Sequence, residues 1–254
     1  MTSISAVLPA YNEEALIAAT AMGMADELAK HVDDYEVIVV NDGSHDRTQQ
    51  VVEQLMTENS HIRLVNHPVN RGYGSALKTG FDSATKDLIF LTDGDKQFDL
   101  TEIARFIPEI ERGADLVIGY RAPRRDPFIR LLYAKGWKVV VTLLFGYTAR
   151  DVDCAFKLFK REVWERITVH SGGATFSAEL LVKARGCGYR IRELPVKHLP
   201  RLAGRPTGGN PRVILRAFRD IIWLRLHLEP CPEEYPSRAA RSGDRPTESS
   251  PVTP

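Results

Sequence analysis

Phe90-Leu-Thr-Asp-Gly-Asp-Lys-Gln97 closes the apolar run Asp87-Leu-Ile-Phe-Leu91 and places two carboxylates one residue apart where a buried strand ends. An amide, Gln97, follows two residues after the second carboxylate. Asp93 and Asp95 in that position are hard oxygen ligands, suited to hold a divalent cation between protein and diphosphate. The pattern by itself is weak. Sixteen Asp in 254 residues give roughly one Asp-x-Asp by chance, and Asp151-Val-Asp153 is a second copy. Only the first directly follows a strand pattern, so the surrounding sequence decides its weight.

Hydrophobic residues make up 43% of the chain and charged residues 26%, the profile of a globular protein with ample material for a core. The net charge of +1 excludes no class of partner, but its distribution is uneven. Residues 1–60 carry eleven acidic and two basic side chains. Residues 121–138 carry six basic and one acidic, and 197–225 carry seven Lys or Arg against Asp220. The two basic segments are expected to face phosphates or an anionic membrane. Cys154, Cys187 and Cys231 are widely spaced and form no C-x-x-C. That argues against a disulfide framework or a zinc site and predicts a reducing cytoplasm. The N-terminus enters a strand almost at once, which predicts no signal peptide. The longest uncharged apolar stretch, residues 139–149, is too short to span a bilayer.

Ile4-Ser-Ala-Val-Leu8 reads as a buried strand, followed by Pro9-Ala-Tyr-Asn-Glu-Glu14 and a helical pattern to about Lys30. Tyr35–Val40 is a second strand, ending at Asn41-Asp-Gly-Ser-His-Asp46, where Asp46 is placed to cap a helix over 47–58. Ile62–Val65 is a third strand, and Asn70-Arg-Gly-Tyr-Gly74 opens a helix to about Ala84. After strand 87–92 come a helix near 100–112 and a strand Asp115–Gly119. Further on, 128–146 is helical, 154–159 a strand, 178–185 a helix, and 189–196 a final strand. Strands alternating with helices predict an α/β fold with a mainly parallel central sheet and flanking helices. Ligands in such sheets bind at the carboxyl ends of the strands, which is where 9–13, Asp42, Asp93 and Asp95 fall. Residues 197–210 form a Gly- and Pro-rich loop with Arg201 and Arg205, and 211–228 a basic amphipathic helix with Ile214, Ala217, Phe218, Ile221 and Ile222 on one face. Six of the fifteen prolines lie beyond residue 228, so 229–254 reads as a disordered tail. The expected organisation is thus 1–210 as the globular domain, 211–228 as a possible membrane-interfacial helix, and 229–254 as tail.

No G-x-G-x-x-G and no G-x-x-x-x-G-K-[ST] follows Leu8, which disfavours a dinucleotide dehydrogenase and a phosphate-loop NTPase. Tyr11 is instead suited to stack on a base, and Asp42 to accept the imide N–H of uracil or guanine. The series P-A-Y-N-E-E, V-V-N-D-G-S-H-D-R-T, N-R-G-Y-G-S-A-L-K-T-G-F and T-D-G-D-K-Q-F-D resembles the motifs of family 2 glycosyltransferases. It is most similar to the polyprenyl-phosphate, dolichyl-phosphate mannose synthase-like branch. The likeness covers about residues 4–228, continuing in D-V-D-C-A-F-K-L-F-K-R and R-L-A-G-R-P-T-G-G.

The resemblance implies a GT-A fold, a nucleoside-diphosphate-sugar donor, Mg²⁺ or Mn²⁺, and inverting transfer of the sugar to a lipid-carrier phosphate. It implies that Pro9, Tyr11, Glu13, Val40 and Asp42 line the nucleoside pocket, and that Asp93 and Gly94 contact nucleotide and ribose. Asp95, with Gln97 and Asp93, is implied to bind the metal, and Arg121 and Arg201 to meet the diphosphate or the acceptor phosphate. Where dolichyl enzymes carry Ser-Lys after the glycine, this chain reads Pro206-Thr207, leaving Arg205 as the substitute cation. Asp153 and Lys157 are either a structural ion pair or acceptor-side residues. Glu179 reads as an exposed helix acid, and His45, His67 and His198 as surface or structural residues. Gly72 and Gly74 serve a tight turn or a close approach of backbone to the nucleotide sugar. Two alternatives stay open: transfer to a hydroxyl, which needs Asp153 or Glu179 as base, and a catalytically silent nucleotide-sugar-binding module. The donor is GDP- or UDP-linked, with GDP-mannose, UDP-glucose and UDP-N-acetylglucosamine all compatible. Residues 128–146 and 211–228 mix Trp, Phe, Ile and Leu with Arg and Lys, which predicts peripheral contact with the inner face of the cytoplasmic membrane. No nucleic-acid partner is expected.

Overall fold

A computed structural model describes residues 2–122, 128–200 and 211–231. The first strand, β1 (Ser3–Ala10), is buried at every position, as a strand flanked on both edges and covered on both faces must be. It pairs in parallel with β2 (Asp34–Asp42) on one side and β4 (Leu88–Leu91) on the other, and β3 (Ile62–His67) lies parallel beyond β2. The remaining strands extend the sheet past β4. β6 (Lys157–Lys160) runs antiparallel to both β4 and β5 (Leu116–Arg121), and β7 (Ile191–Val196) runs parallel to β5. The order is β3-β2-β1-β4-β6-β5-β7, so the expected mainly parallel α/β sheet is present with one reversed strand.

Alternation along the strands feeds two cores. Ala6, Leu8, Val37, Val39 and Phe90 point to the layer holding α1 (Ile17–Leu28) and α2 (Thr48–Glu58). Val7, Ile38, Val40, Ile89 and Leu91 point to the layer holding α3 (Tyr73–Asp82) and α7 (Phe176–Gly186). The helix expected near 100–112 is broken into a 3₁₀ turn, Leu100–Arg105, capped by Asp99, and a short α4 (Ile107–Glu111). Pro108 explains the break, because it fits the first turn of a helix but cannot continue one.

The later helices are α5 (Phe128–Phe145), α6 (Arg161–Arg166) and α8 (Pro211–Leu226). On α8, Ala217 is buried and Ile221 and Leu224 pack in the second core, while Ile222, Trp223 and Leu226 stay exposed. Trp137 of α5 meets Phe218 of α8 edge-on at 5.9 Å. Among the described residues no helix is long and apolar enough to cross a membrane. The reading of the cysteine spacing as an argument against disulfide bonding is corrected. Cys187 and Cys231 are joined as a disulfide with Cα atoms 5.3 Å apart, tying the chain beyond α8 to the end of α7. Folding brings together cysteines 44 residues apart, so their spacing carries no argument about compartment.

At the sheet edge opposite the strand carboxyl ends, Glu36 fastens four segments. Its carboxylate accepts Ser5 Oγ at 2.7 Å, Thr85 N at 2.8 Å and Thr85 Oγ1 at 2.7 Å, and pairs with Arg63. Burial pushes the acid up, but these donors together outweigh it and hold the Glu36 carboxyl below its ordinary value of 4.5. A depressed carboxyl stabilises the fold above its unfolded pKa and loses that contribution as pH falls through the folded one. Glu36→Gln should therefore lower stability by about 1–3 kcal/mol at pH 7, the cost of disrupting a buried charged acceptor. In urea melts the gap between variant and wild type should close below about pH 4. A gap that is constant with pH contradicts the assignment.

Candidate active site

Strand order puts a switch point between β1 and β4. The chain leaves β1 for β2 and β3 on one side, then returns to place β4 on the other. Ligands of such sheets bind in the crevice at the carboxyl ends of the strands. The loops of 9–14 and 93–97 both open there. They also touch: a Cβ on Gly94 would lie 3.3 Å from the Pro9 carbonyl oxygen and 3.2 Å from Ile17 Cδ1, and the Gly94 carbonyl accepts Thr20 Oγ1 at 3.0 Å. Gly94 is therefore a packing requirement of the carboxylate loop.

The loop after β1 is laced to the loop after β2. Asn12, at φ +56°, donates its N–H to Ser44 Oγ at 2.9 Å and accepts His45 N at 2.8 Å. Glu13 N–H reaches Thr48 Oγ1 at 2.9 Å, and Asp46 caps the first turn of α2 through Thr48 N at 3.0 Å. Tyr11 is left 36% exposed beside His45, available as a platform. Pro9 is buried, and Val40 is fully buried in the core under α3.

Asp42 is only 3% exposed. Its Oδ1 accepts Arg71 N at 2.9 Å and contacts His67 Nδ1 at 2.6 Å, while Oδ2 accepts Gly72 N at 2.9 Å. His67 Nε2 in turn lies 2.9 Å from Thr79 Oγ1. With Asp42 as acceptor, the imidazole donates from Nδ1 and accepts the Thr79 hydroxyl at Nε2. Asp42 is thus the clamp of the 70–72 loop. A carboxylate offers about four acceptor positions, and three are taken by protein groups. Gly72 adopts φ +92°, and Gly74 lies so close to Gly172 and Gly173 that a Cβ there would fall 2.7–2.9 Å from their backbone. Both glycines are set by protein–protein contact.

Asp93 and Asp95 sit at the mouth of this crevice. Tyr73 Oη donates to Asp93 Oδ1 at 3.0 Å, and Asp95 Oδ1 accepts Gln97 N at 3.2 Å. Burial first, and next the Asp95 charge, push the Asp93 carboxyl up to about 7, against the Tyr73 hydrogen bond and the charges of Lys157 and Arg121. Two carboxylates crowded until one resists ionisation are a pair that a divalent cation relieves, so the donor set fits a hard metal. Among the described residues no cluster of three or more His, Cys, Asp or Glu forms a complete cage. A cation here would draw its remaining ligands from Gln97, the donor diphosphate and water. Gln97 also meets the segment after β7: Leu199 N donates to its backbone carbonyl at 2.9 Å, and its Nε2 lies 3.4 Å from His198 Nε2. The segment leading to Arg201 is therefore delivered to the carboxylate loop. Arg201 and Arg205 themselves lie outside the described residues, as do 123–127 of the basic turn and 232–254 of the tail.

Arg121 is engaged from within. It forks onto Asp151, Nε to Oδ2 at 2.7 Å and Nη2 to Oδ1 at 2.8 Å, with its side chain 9% exposed. The second Asp-x-Asp therefore splits: Asp151 is a buried partner of Arg121, and Asp153 is exposed. Lys157 is 1% exposed, and its ammonium donates to the carbonyls of Val152, at 3.3 Å, and Cys154. It braces the 151–154 turn from beneath, a geometry the sequence did not reveal. A cavity of about 210 Å³ lies between this turn and α5, lined by Lys135, Trp137, Lys138 and Arg150 with Asp151 and Asp153.

Glu179 requires a correction. It is fully buried, accepts His170 N at 2.9 Å and Ser171 N at 2.8 Å, and pairs with Lys183 at 3.0 Å. Burial opposes its charge, but these donors hold its carboxyl below the ordinary range. An acid so occupied is no candidate base. It holds the 170–173 loop, whose Gly172 carbonyl accepts Ser75 N at 3.2 Å in the first turn of α3. The FSAELL stretch showed only helical spacing, and nothing in it announced a loop clamp. Glu179→Ala should speed hydrogen exchange of the Ser75 amide by about tenfold or more, since losing about 1.4 kcal/mol from a local opening gives that factor. Unchanged exchange at Ser75 would show that the loop is held by other contacts.

Comparison with known proteins agrees with this arrangement. Residues 5–168 match the family described as Glycosyl transferase family 2. The chain is 33% identical over 214 residues to "Dolichyl-phosphate beta-glucosyltransferase ALG5A" of Trichomonas vaginalis, covering 76% of this chain and 65% of that protein. It is 31% identical over 230 residues to "Glycosyltransferase AglD" of Haloferax volcanii, covering 87% of this chain and 35% of that one. It is 30% identical over 221 residues to "Undecaprenyl-phosphate 4-deoxy-4-formamido-L-arabinose transferase" of Shewanella sediminis, covering 85% and 64%. The chain thus spans between about a third and two thirds of the length of these relatives. Glucosyl-3-phosphoglycerate synthase from Mycobacterium tuberculosis, solved with Mn²⁺, UDP-glucose and phosphoglyceric acid, superposes with a TM-score of 0.69 at 20% identity, covering 92% of this chain and 81% of that one. That likeness establishes the shared GT-A fold. The chain belongs to glycosyl transferase family 2.

Proposed function

We propose that this protein transfers a sugar, with inversion, from a nucleoside-diphosphate sugar to the phosphate of a polyprenyl carrier. The observation that carries the reading is the Asp93-Gly94-Asp95 loop at the β1/β4 switch point, fastened to the loop after β1. The acceptor class is supported by the relatives, two of which are named for dolichyl- and undecaprenyl-phosphate. The cationic cavity beside Arg121–Asp151 suits an anionic acceptor.

In this reading Tyr11 stacks the base, Glu13 borders the pocket, and the last acceptor position of Asp42 takes an imide N–H of UDP or GDP. Asp93 and Gly94 meet the ribose side, and Asp93, Asp95 and Gln97 hold the metal. When bound there, Mg²⁺ or Mn²⁺ supplies Lewis-acid stabilisation of charge on the leaving diphosphate. Arg201 and Arg205 add positive charge where that negative charge develops, and Arg121, paired with Asp151, borders the acceptor side. The acceptor phosphate monoester has a second pKa of about 6 and is mostly dianionic at pH 7. It needs orientation rather than deprotonation, and Lys135, Lys138 and Arg150 orient it without a general base. The burial of Glu179 removes one of the two candidate bases for transfer to a hydroxyl and leaves Asp153. Exposed Leu143, Ile222, Trp223 and Leu226 beside Lys and Arg suit the surface of an anionic membrane, where such an acceptor resides.

The deciding measurement incubates the full chain with labelled UDP-glucose, UDP-N-acetylglucosamine or GDP-mannose, Mn²⁺ and a polyprenyl phosphate. Label should appear in the lipid fraction with one donor, and its absence with all of them would overturn the reading. Asp95→Ala should reduce transfer by more than about a hundredfold, the scale of losing one preorganised charge-stabilising group. In flotation, the protein should rise with anionic liposomes and remain behind with neutral ones. Equal behaviour with both denies the electrostatic membrane contact.

A further inference from the structure

We propose that Tyr73 is a positioning residue for the cation site, its hydroxyl holding the Asp93 carboxylate in the orientation that shares a metal with Asp95. The inference rests on the cation reading given above and adds to it a residue outside the carboxylate loop.

The two carboxylates are restrained unequally. Asp95 is fixed by its own loop, through the Gln97 N–H at 3.2 Å. Asp93 takes its hydrogen bond from another element, the Tyr73 hydroxyl at 3.0 Å. A carboxylate facing a like charge relaxes away from it unless held. A phenolic donor opposes that drift and occupies one oxygen, leaving the other to a cation.

Tyr73 is built to be stationary. It is the first residue of α3, and both sides of its backbone are fastened. Before it, Arg71 N and Gly72 N bind the Asp42 carboxylate, itself backed by His67 and Thr79. After it, Gly74 packs on Gly172 and Gly173, and Ser75 N binds the Gly172 carbonyl. Glu179 secures that partner loop in turn. One set of hydrogen bonds from backbone N–H groups thus runs from Asp42 at the end of β2 to the loop before α7, with Tyr73 at its centre and its hydroxyl on Asp93. A site residue supported in this way keeps its geometry before the ligand arrives.

The test is Mn²⁺ binding by the full chain in the presence of UDP or GDP, read from the free-Mn²⁺ electron paramagnetic resonance signal, with no turnover required. Tyr73→Phe removes only the hydroxyl. It should leave the melting temperature unchanged and weaken Mn²⁺ binding by about tenfold, within the range for losing a group that orients a metal ligand. In an Asp93→Asn background, the same change should add less than about twofold, because the two residues act as one unit. Binding by Tyr73→Phe within twofold of wild type overturns the inference, as does an equal loss in both backgrounds. Wild-type protein that binds no Mn²⁺ with either nucleotide defeats the cation reading itself, and this inference with it.

Discussion

The parallel pairing of β1 with β4 is the constraint on which the site depends. β1 is the one strand that has β2 on one edge and β4 on the other, and it is buried along its whole length. Its register with β4 sets Val7 against Leu91, so Pro9 and the 93–95 loop emerge side by side. The loops leaving both strands lead to the layer of the first core, to α1 and to the 3₁₀ turn, and meet at Gly94, so residues 9–14 and 93–97 share the carboxyl end of the sheet where ligands of such folds bind. The family's carboxylates occupy a place that the topology had already opened.

Around that crevice the polar groups are arranged as supports behind supports. Asp42, His67 and Thr79 form a buried chain that fixes the start of α3, and Glu179 with Lys183 fixes the loop packed on its other side. Arg121 and Asp151 neutralise each other bidentately, and Lys157 caps the carbonyls of the turn that carries Asp151. Buried charges without such partners would cost far more than they return. A large share of the charged residues near the site therefore act on other protein groups.

This division separates what could be read from residues alone. The strand–loop order, the absence of glycine phosphate loops and the Asp93-Gly94-Asp95 context pointed to the fold and family, and both are as expected. The roles of single side chains were less legible. Glu179 has the spacing of an exposed helix acid and is fully buried, because α7 packs in the second core and its first turn faces a loop eight residues back. Asp151 and Asp153 are alike in motif, yet Asp151 is buried against Arg121 while Asp153 is exposed. Cys187 and Cys231 are unremarkable in spacing and are joined.

What the sequence determined by itself is local and periodic: which segments are strands, which are helices, and that the acidic motifs fall at strand ends. Those properties follow from hydrophobic alternation and from residue types that end elements, which neighbours in the chain suffice to specify. Only the tertiary structure decided that β6 would run antiparallel between β4 and β5, that Asp42 would turn inward to hold a loop, and that Tyr73 would meet Asp93 twenty residues along the chain. Such choices depend on which charges can find donors once water is excluded, and that is settled by packing between distant segments.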